Sequence, residues 1–127
     1  MAQLSQRERM VSYIRDRYAV EPEHLWARYP NYAVFRRPAS RKWFAAIMDM
    51  AKKSLDLTGD GTADVMNLKC GPVLVGSLLA QDGFLPAYHM SKSSWISVLL
   101  DETVPDEQIF PLIELSYDSV APKRKKS

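Results

Sequence analysis

Four side chains that could hold a ligand or assist a reaction fall within residues 88–95. Tyr88, His89, Lys92 and Trp95 supply a phenol, an imidazole, an ammonium group and an indole. Apolar and aromatic runs flank the polar residues 91–94, and this pattern predicts a β-hairpin with a turn of four or five residues. The hairpin would bring these four side chains close together, where they could contact an anion.

A thiolate–imidazole pair formed by Cys70 and His89 is the enzymatic alternative, since a nucleophile needs a base within hydrogen-bond reach. Nothing local marks Cys70 as reactive, and a lone buried thiol behaves as a small hydrophobic group. The sequence has no Gly-rich phosphate loop, no serine elbow and no His-rich metal spacing. We therefore predict that the protein is not an enzyme and has no cofactor.

The densest basic cluster lies in a predicted turn between two strands and comprises Arg36, Arg37, Arg41 and Lys42. Such a cluster fits either a solvated hairpin tip or a phosphate contact. Residues 1–53 carry a net charge of +6, residues 54–122 carry −8, and the whole chain carries +2. A dedicated duplex-DNA binder is normally basic. This balance therefore counts against strong nucleic-acid binding.

Residues 56–61 resemble part of a calcium-binding EF-hand loop but lack its key ligands. Counted from Asp56, Asp60 and Gly61 stand where that loop has its fifth and sixth positions. Thr58 stands at position three, however, and Asn67 replaces the bidentate glutamate at position twelve. We therefore interpret these residues as a Gly-rich hairpin turn and expect no metal.

The elements that would position these residues predict an α+β fold. Ser5 and Glu8 form a capping box that starts a helix ending near Tyr18. The other predicted elements are a helical turn at 21–26, strands at 32–37, 42–50 and 62–70, a helix at 73–80, the hairpin, and a helix from residue 106.

We expect one domain over residues 1–122, followed by a disordered basic tail, 123–127. No membrane span or signal peptide is apparent, and one cysteine fits a reducing cytoplasm.

Several segments together resemble the MmcQ/YjbR family of small bacterial proteins, from about residue 5 to 120. The matching segments are Tyr29-Pro30, Phe35-Arg36, Lys42-Trp43-Phe44-Ala45, Asn67-Leu68-Lys69-Cys70, Pro86-Ala87-Tyr88-His89-Met90, Trp95-Ile96-Ser97-Val98 and Ser116-Tyr117. The resemblance implies a frataxin-like (CyaY-like) fold, in which helices pack on one face of a twisted antiparallel sheet. It also implies paired β-hairpin wings and a DNA-binding role.

Two details bear on what the resemblance implies. Relatives usually carry further basic or histidine residues where this chain has Ser93 and Ser94, so the predicted wing retains only Lys92. Frataxin-like folds also suggest iron, which acidic clusters bind. The first predicted helix has only Glu8 and Asp16 as acidic residues, and it therefore lacks an acidic ridge.

Our leading hypothesis is weak, largely sequence-independent DNA binding, because phosphate binding needs several cations. The predicted contacts are Arg36, Arg37, Arg41 and Lys42 in the basic turn and Lys69, His89, Lys92 and Trp95 around the hairpin. A continuous positive stripe that joined the two groups would favour this hypothesis.

The alternative hypothesis is a protein- or small-ligand-binding module that uses an aromatic groove around Trp43, Tyr88 and Trp95. An apolar concavity with few charges would favour it. Under either hypothesis we expect a monomer that does not contact a membrane.

Overall fold

Three α-helices and five β-strands make up the part of the chain that the computed structural model describes, residues 4–88 and 90–122. In chain order the elements are α1 (Gln6–Tyr18), β1 (Ala33–Arg36), β2 (Trp43–Ala51), a 3₁₀ helix (Lys52–Leu55), β3 (Thr62–Lys69), α2 (Pro72–Leu78), β4 (Phe84–Pro86), β5 (Trp95–Leu99) and α3 (Asp106–Ser119). His89 and the predicted tail, 123–127, lie outside the described residues. No helix in the described residues is both long enough and apolar enough to span a bilayer.

The five strands form one sheet in the order β1-β2-β3-β5-β4, and every neighbouring pair is antiparallel. At its centre Ile47 of β2 lies beside Met66 of β3, which lies beside Val98 of β5. The predicted α+β fold with an antiparallel sheet is therefore confirmed. β2 is apolar on both faces because Ala45 and Ile47 lie in the main core while Met48 and Met50 lie in a second apolar cluster on the other face.

The helices cover one face of this sheet. Met10 and Ile14 of α1 and Ile109 and Ile113 of α3 are fully buried against the face that carries Ile47. Side chains alternate between the two faces of a strand, so the residues between these core positions point the other way. A smaller apolar cluster on that other face contains Leu55 of the 3₁₀ helix and, within the described residues, no member of an α-helix.

The two long helices are joined at their first turns. The predicted capping box of α1 is present, since Ser5 and Glu8 exchange side-chain and backbone hydrogen bonds. Gln6 is buried, and its Nε2 atom donates to the Val104 carbonyl at 2.7 Å and to Asp106 at 2.9 Å. α3 begins at Asp106, which confirms the predicted start of this helix. The two hydrogen bonds of Gln6 fix the first turn of α1 to the start of α3.

Two local predictions were wrong in detail. Residues 21–26 do not form a helical turn, because Glu23 pairs instead with Val34 through two backbone hydrogen bonds of 2.9 and 3.0 Å. The hairpin predicted between residues 86 and 98 exists, but its first strand, β4, lies earlier in the chain than expected. The connection from Pro86 to Trp95 is therefore longer than a turn of four or five residues.

Candidate functional site: an aromatic groove

The face of the sheet that the α-helices leave uncovered has an apolar floor at its β1–β2 end. Val34 of β1 lies directly beside Ala46 of β2, and Met48 follows two residues later on the same face. We call this side of the sheet, marked by these three residues, the open face. Small and flexible side chains at these positions leave room above the strands for another group.

One wall of this space comes from the chain between α1 and β1. Trp26 stands nearly perpendicular to Tyr32, at an interplanar angle of 76° and a centroid distance of 6.0 Å. Tyr29 stacks on Tyr32 at 4.7 Å. Backbone hydrogen bonds from Tyr29 to Trp26 and from Tyr32 to Tyr29 hold the segment in consecutive turns. The antiparallel bridge between Glu23 and Val34 anchors it to the edge of the sheet.

Trp43 reaches the same space because of a β-bulge. Phe35 pairs with Ala45 whereas Arg36 pairs with Trp43, so Phe44 is an extra residue on β2. Phe44 is fully buried in the helix-side core. Trp43 consequently lies on the same side as Arg36, and its ring is perpendicular to Trp26, at 87° and 5.9 Å. The extra residue therefore lets β2 place Phe44 in the core and the adjacent Trp43 on the open face.

Near this space, a buried polar cluster holds the residues that follow β4 in place. Asn67 and Ser97 are fully buried neighbours on β3 and β5. The Asn67 amide donates to the Tyr88 carbonyl at 2.8 Å, and the Ser97 hydroxyl donates to the Asn67 side-chain oxygen. The Tyr88 N–H in turn donates to Ser97 at 3.3 Å. These bonds hold Tyr88 against the sheet, and Met90 then borders the space.

The resulting cavity, the aromatic groove, has a volume of about 350 Å³. This is near the lower end of the range for sites that bind small molecules. Its lining residues are Trp26, Tyr29, Tyr32, Ala33, Val34, Trp43, Ala46, Met48 and Met90. None of these side chains is charged, and four of them are aromatic.

Two of the basic residues predicted to bind nucleic acid have partners within the protein. Arg36 donates from Nε to both carboxylate oxygens of Glu23, at 3.1 and 3.2 Å. Arg37 turns toward α3, where it donates to the Tyr117 carbonyl at 3.0 Å and lies 4.2 Å from the centroid of the Tyr117 ring. Their positive charges are therefore less available to an external phosphate than their positions in the sequence suggested.

The other predicted contact residues fall into two groups. Arg41 and Lys42 are exposed in the β1–β2 turn. Lys69 and Trp95 are half-buried neighbours on β3 and β5, and Lys92 is exposed in the turn before β5. His89 belongs to the same stretch of sequence but lies outside the described residues. The structure thus brings Lys69 beside Trp95, and it places Arg41 with Lys42 in a separate turn.

The sequence-based groove prediction identified one of its lining residues and missed the others. Trp43 lines the cavity, whereas Tyr88 packs against the Leu55 cluster and Trp95 does not border the cavity. Trp26 belongs to the segment predicted as a helical turn, 21–26, and it is 37% exposed. The available signal was the three-residue spacing of Trp26, Tyr29 and Tyr32, but the prediction assigned Trp26 to a helical turn and Tyr32 to a strand.

Neither a reactive thiol nor a metal cluster emerges from the described residues. Burial raises the pKa of the half-buried Cys70 thiol, which lowers its thiolate population at neutral pH. In the same part of the chain, no group of three or more His, Cys, Asp or Glu side chains could hold a metal ion.

Comparisons with known proteins identify the family. The family model described as YjbR matches residues 15–119. This chain belongs to the YjbR family. The protein YyaQ of Bacillus subtilis (strain 168) is 39% identical over 111 residues, which cover 87% of this chain and 94% of YyaQ.

Solved structures support the fold. A crystal structure of a Pseudomonas syringae protein has a TM-score of 0.88 and 40% sequence identity, and the match covers 91% of this chain and 98% of that one. The Deinococcus radiodurans protein DR2400 has a TM-score of 0.62 at 22% identity, with 87% of this chain and 77% of that one covered. The second similarity concerns the fold alone.

Proposed function

We propose that this member of the YjbR family is a non-catalytic binding protein whose ligand lies in the aromatic groove. The observation that carries the proposal is the cavity of about 350 Å³, whose described lining residues include four aromatic rings and no charged side chain. An apolar concavity of this kind is what distinguishes a ligand-binding module from an electrostatic phosphate-binding surface.

The rings of the groove are held in place before any ligand arrives. Trp26 contacts both Trp43 and Tyr32 edge to face. The guanidinium of Arg36 lies 5.9 Å from the centroid of the Trp43 ring, and the same guanidinium forms an ion pair with Glu23. Because little side-chain freedom remains to be lost, an apolar ligand would retain most of the free energy gained from its burial.

The lining also supports the non-catalytic part of the proposal. Its only ionisable groups, among the described residues, are the phenols of Tyr29 and Tyr32. Burial and the neighbouring Asp49 raise the pKa of Tyr32, so its hydroxyl stays protonated at neutral pH. A protonated phenol can donate a hydrogen bond to a ligand, but it is a poor general base.

Nuclear magnetic resonance with small aromatic fragments tests this proposal. The chain has three tryptophans, each with one resolvable indole N–H. We expect bound fragments to shift the signals of Trp26 and Trp43 and to leave that of Trp95 unchanged. Trp26→Ala should weaken binding, whereas Leu25→Ala, at a neighbouring residue that is 45% exposed and outside the lining, should not. If no fragment shifts the groove signals selectively, the proposal fails.

Weak, largely sequence-independent DNA binding is our second proposal. It is supported by Arg41, Lys42 and Lys92, which are exposed and form no ion pair with any residue that the structure describes. Titrations with duplex and single-stranded DNA at several salt concentrations test it. Lys42→Gln or Lys92→Gln should each reduce the log–log salt slope by about one if the lysine contacts a phosphate. Unchanged slopes would count against these contacts.

The finer features of the family resemblance belong to the same proposal. We propose a frataxin-like arrangement in which the β1–β2 and β4–β5 hairpins, whose turns lie at the same end of the sheet, serve as the paired wings, in a protein of the cytoplasm. The β4–β5 connection carries Lys92, and β2 begins just after Lys42. DNA held between the wings would therefore meet both lysines, and the two substitutions should then have additive effects on the salt slope.

A further inference from the structure

The charges around the groove indicate what kind of ligand it takes, given the proposed function. Three cationic residues are close chain neighbours of lining residues: Arg28 precedes Tyr29, Lys42 precedes Trp43, and Lys92 follows Met90 by two positions. Consecutive Cα atoms are about 3.8 Å apart, so each of these side chains starts within one or two residues of the groove lining.

These three cations are not neutralised within the described structure. Each is exposed, and within residues 4–88 and 90–122 none of their side chains takes part in an ion pair. Arg36, which lies deeper beside Trp43, is already paired with Glu23. The segments that supply the groove lining therefore carry an excess of positive charge beside uncharged described lining residues.

The acidic residue nearest in sequence to the floor offsets only part of this excess. Asp49 follows Met48 on β2, but alternation places it on the helix-covered face. Its register partner there, Asp64, meets Arg7 of α1 at 3.2 Å. Asp49 itself accepts a hydrogen bond from the Asn31 amide at 3.0 Å. Its carboxylate thus lies on the face opposite the floor, although it is close enough to raise the pKa of Tyr32 in the lining.

We propose that the aromatic groove binds a small molecule with a planar aromatic ring and an anionic substituent. The ring lies against Trp26, Trp43 and Tyr32, and because Trp26 stands nearly perpendicular to each of the other two, stacking and edge contacts are offered together. The anionic group stays at the mouth, where Arg28, Lys42 and Lys92 attract it. The volume of about 350 Å³ suits one small molecule rather than a run of stacked bases.

Three probes with the same ring separate the role of charge from that of apolar contact. Indole-3-propionate is anionic, 3-methylindole is neutral and tryptamine is cationic at neutral pH. We expect calorimetry at low salt to show indole-3-propionate binding about three- to tenfold more tightly than either of the others. Added salt should remove this preference without weakening 3-methylindole, because salt screens charge but not apolar contact.

Matched variants locate the charges responsible. Arg28→Gln and Lys42→Gln should each weaken indole-3-propionate about two- to fivefold and leave 3-methylindole unchanged. Lys53→Gln is the control, because Lys53 is an exposed lysine on the 3₁₀ helix and does not line the groove. An equal loss in Lys53→Gln would show that net charge, not the mouth of the groove, attracts the anion.

The remaining outcomes separate this inference from the proposed function. If all three indoles shift the Trp43 signal with similar affinity, or if tryptamine binds best, the groove is a binding site but the anionic assignment is wrong. If none of the probes shifts it, both fail. If a short single-stranded oligonucleotide displaces indole-3-propionate and binds more tightly, the ligand is a nucleic acid and the small-molecule assignment is overturned.

Discussion

Replacing Asn67 by alanine should weaken the attachment of the β4–β5 connection to the open face. Asn67 is fully buried, and its side chain bonds both the Tyr88 carbonyl and the Ser97 hydroxyl. The substitution removes both bonds, and the fully buried Ser97 hydroxyl loses its acceptor. Leaving a buried polar group without its hydrogen-bond partner costs about 1–3 kcal/mol. We therefore expect the free energy of unfolding to fall by about 2–4 kcal/mol in total.

Urea denaturation followed by circular dichroism measures this loss, and an unchanged m-value would show that the unfolding transition itself is the same. Asn31→Ala is the matched control, because Asn31 is exposed and its side chain bonds Asp49 at 3.0 Å. Its effect should stay within about 0.5 kcal/mol. The double variant Asn67→Ala/Ser97→Ala should lose less than the sum of the single losses, since the two residues share one network.

Two results would refute this reasoning. A loss below about 1 kcal/mol in Asn67→Ala would mean that the network contributes less than an ordinary buried hydrogen bond. Strict additivity of Asn67→Ala and Ser97→Ala would mean that the two side chains act independently, contrary to the contact between them. If Asn67→Ala also bound groove ligands more weakly, this would show that the position of Met90 depends on the hydrogen bonds of Asn67.

Three further substitutions test the packing and the charges elsewhere. Gly83→Ala should cost about 1–3 kcal/mol, because Gly83 has a φ of +90° and a Cβ there would lie 2.5 Å from a Val104 methyl. Gly76→Ala in α2 meets no atom within 4 Å and should stabilise by about 0.5–1 kcal/mol, which urea denaturation of both variants would check. A hydrogen bond from Arg9 holds the pKa of Asp106 below its usual range, so this ion pair stabilises at neutral pH and is lost as pH falls through that lowered pKa. Asp106→Asn should therefore be more destabilising at neutral pH than well below the usual aspartate pKa of about 4, and equal losses at both would contradict this.

Local patterns in the sequence were enough to predict the helices and most of the sheet. The capping box at Ser5 and the helical spacing of apolar residues in α3 are short-range signals, and both predicted elements are present. The error at residues 21–26 has a long-range cause, because Glu23 is held extended by Val34, which follows eleven residues later in the chain. Local propensity contains no information about that partner.

The groove was harder to predict because no continuous segment forms it. Its walls come from the chain before β1, from β2 and from the β4–β5 connection, which meet only after the sheet has formed. The bulge at Phe44 adds a second difficulty. A strand that is apolar on both faces gives no sign of where an extra residue reverses the alternation, so the sequence alone could not assign Trp43 to the open face.

The bridge between Glu23 and Val34 also affects how the sheet meets other chains. A sheet edge with unpaired backbone groups can recruit a strand from another molecule, which leads to aggregation. β1, one edge strand, spans four residues and already has Glu23 paired to its outer side. β4, the other edge strand, spans three residues and ends at Pro86, which has no N–H to donate. Neither edge offers a long template for strand addition, so the protein is protected against self-association through its sheet.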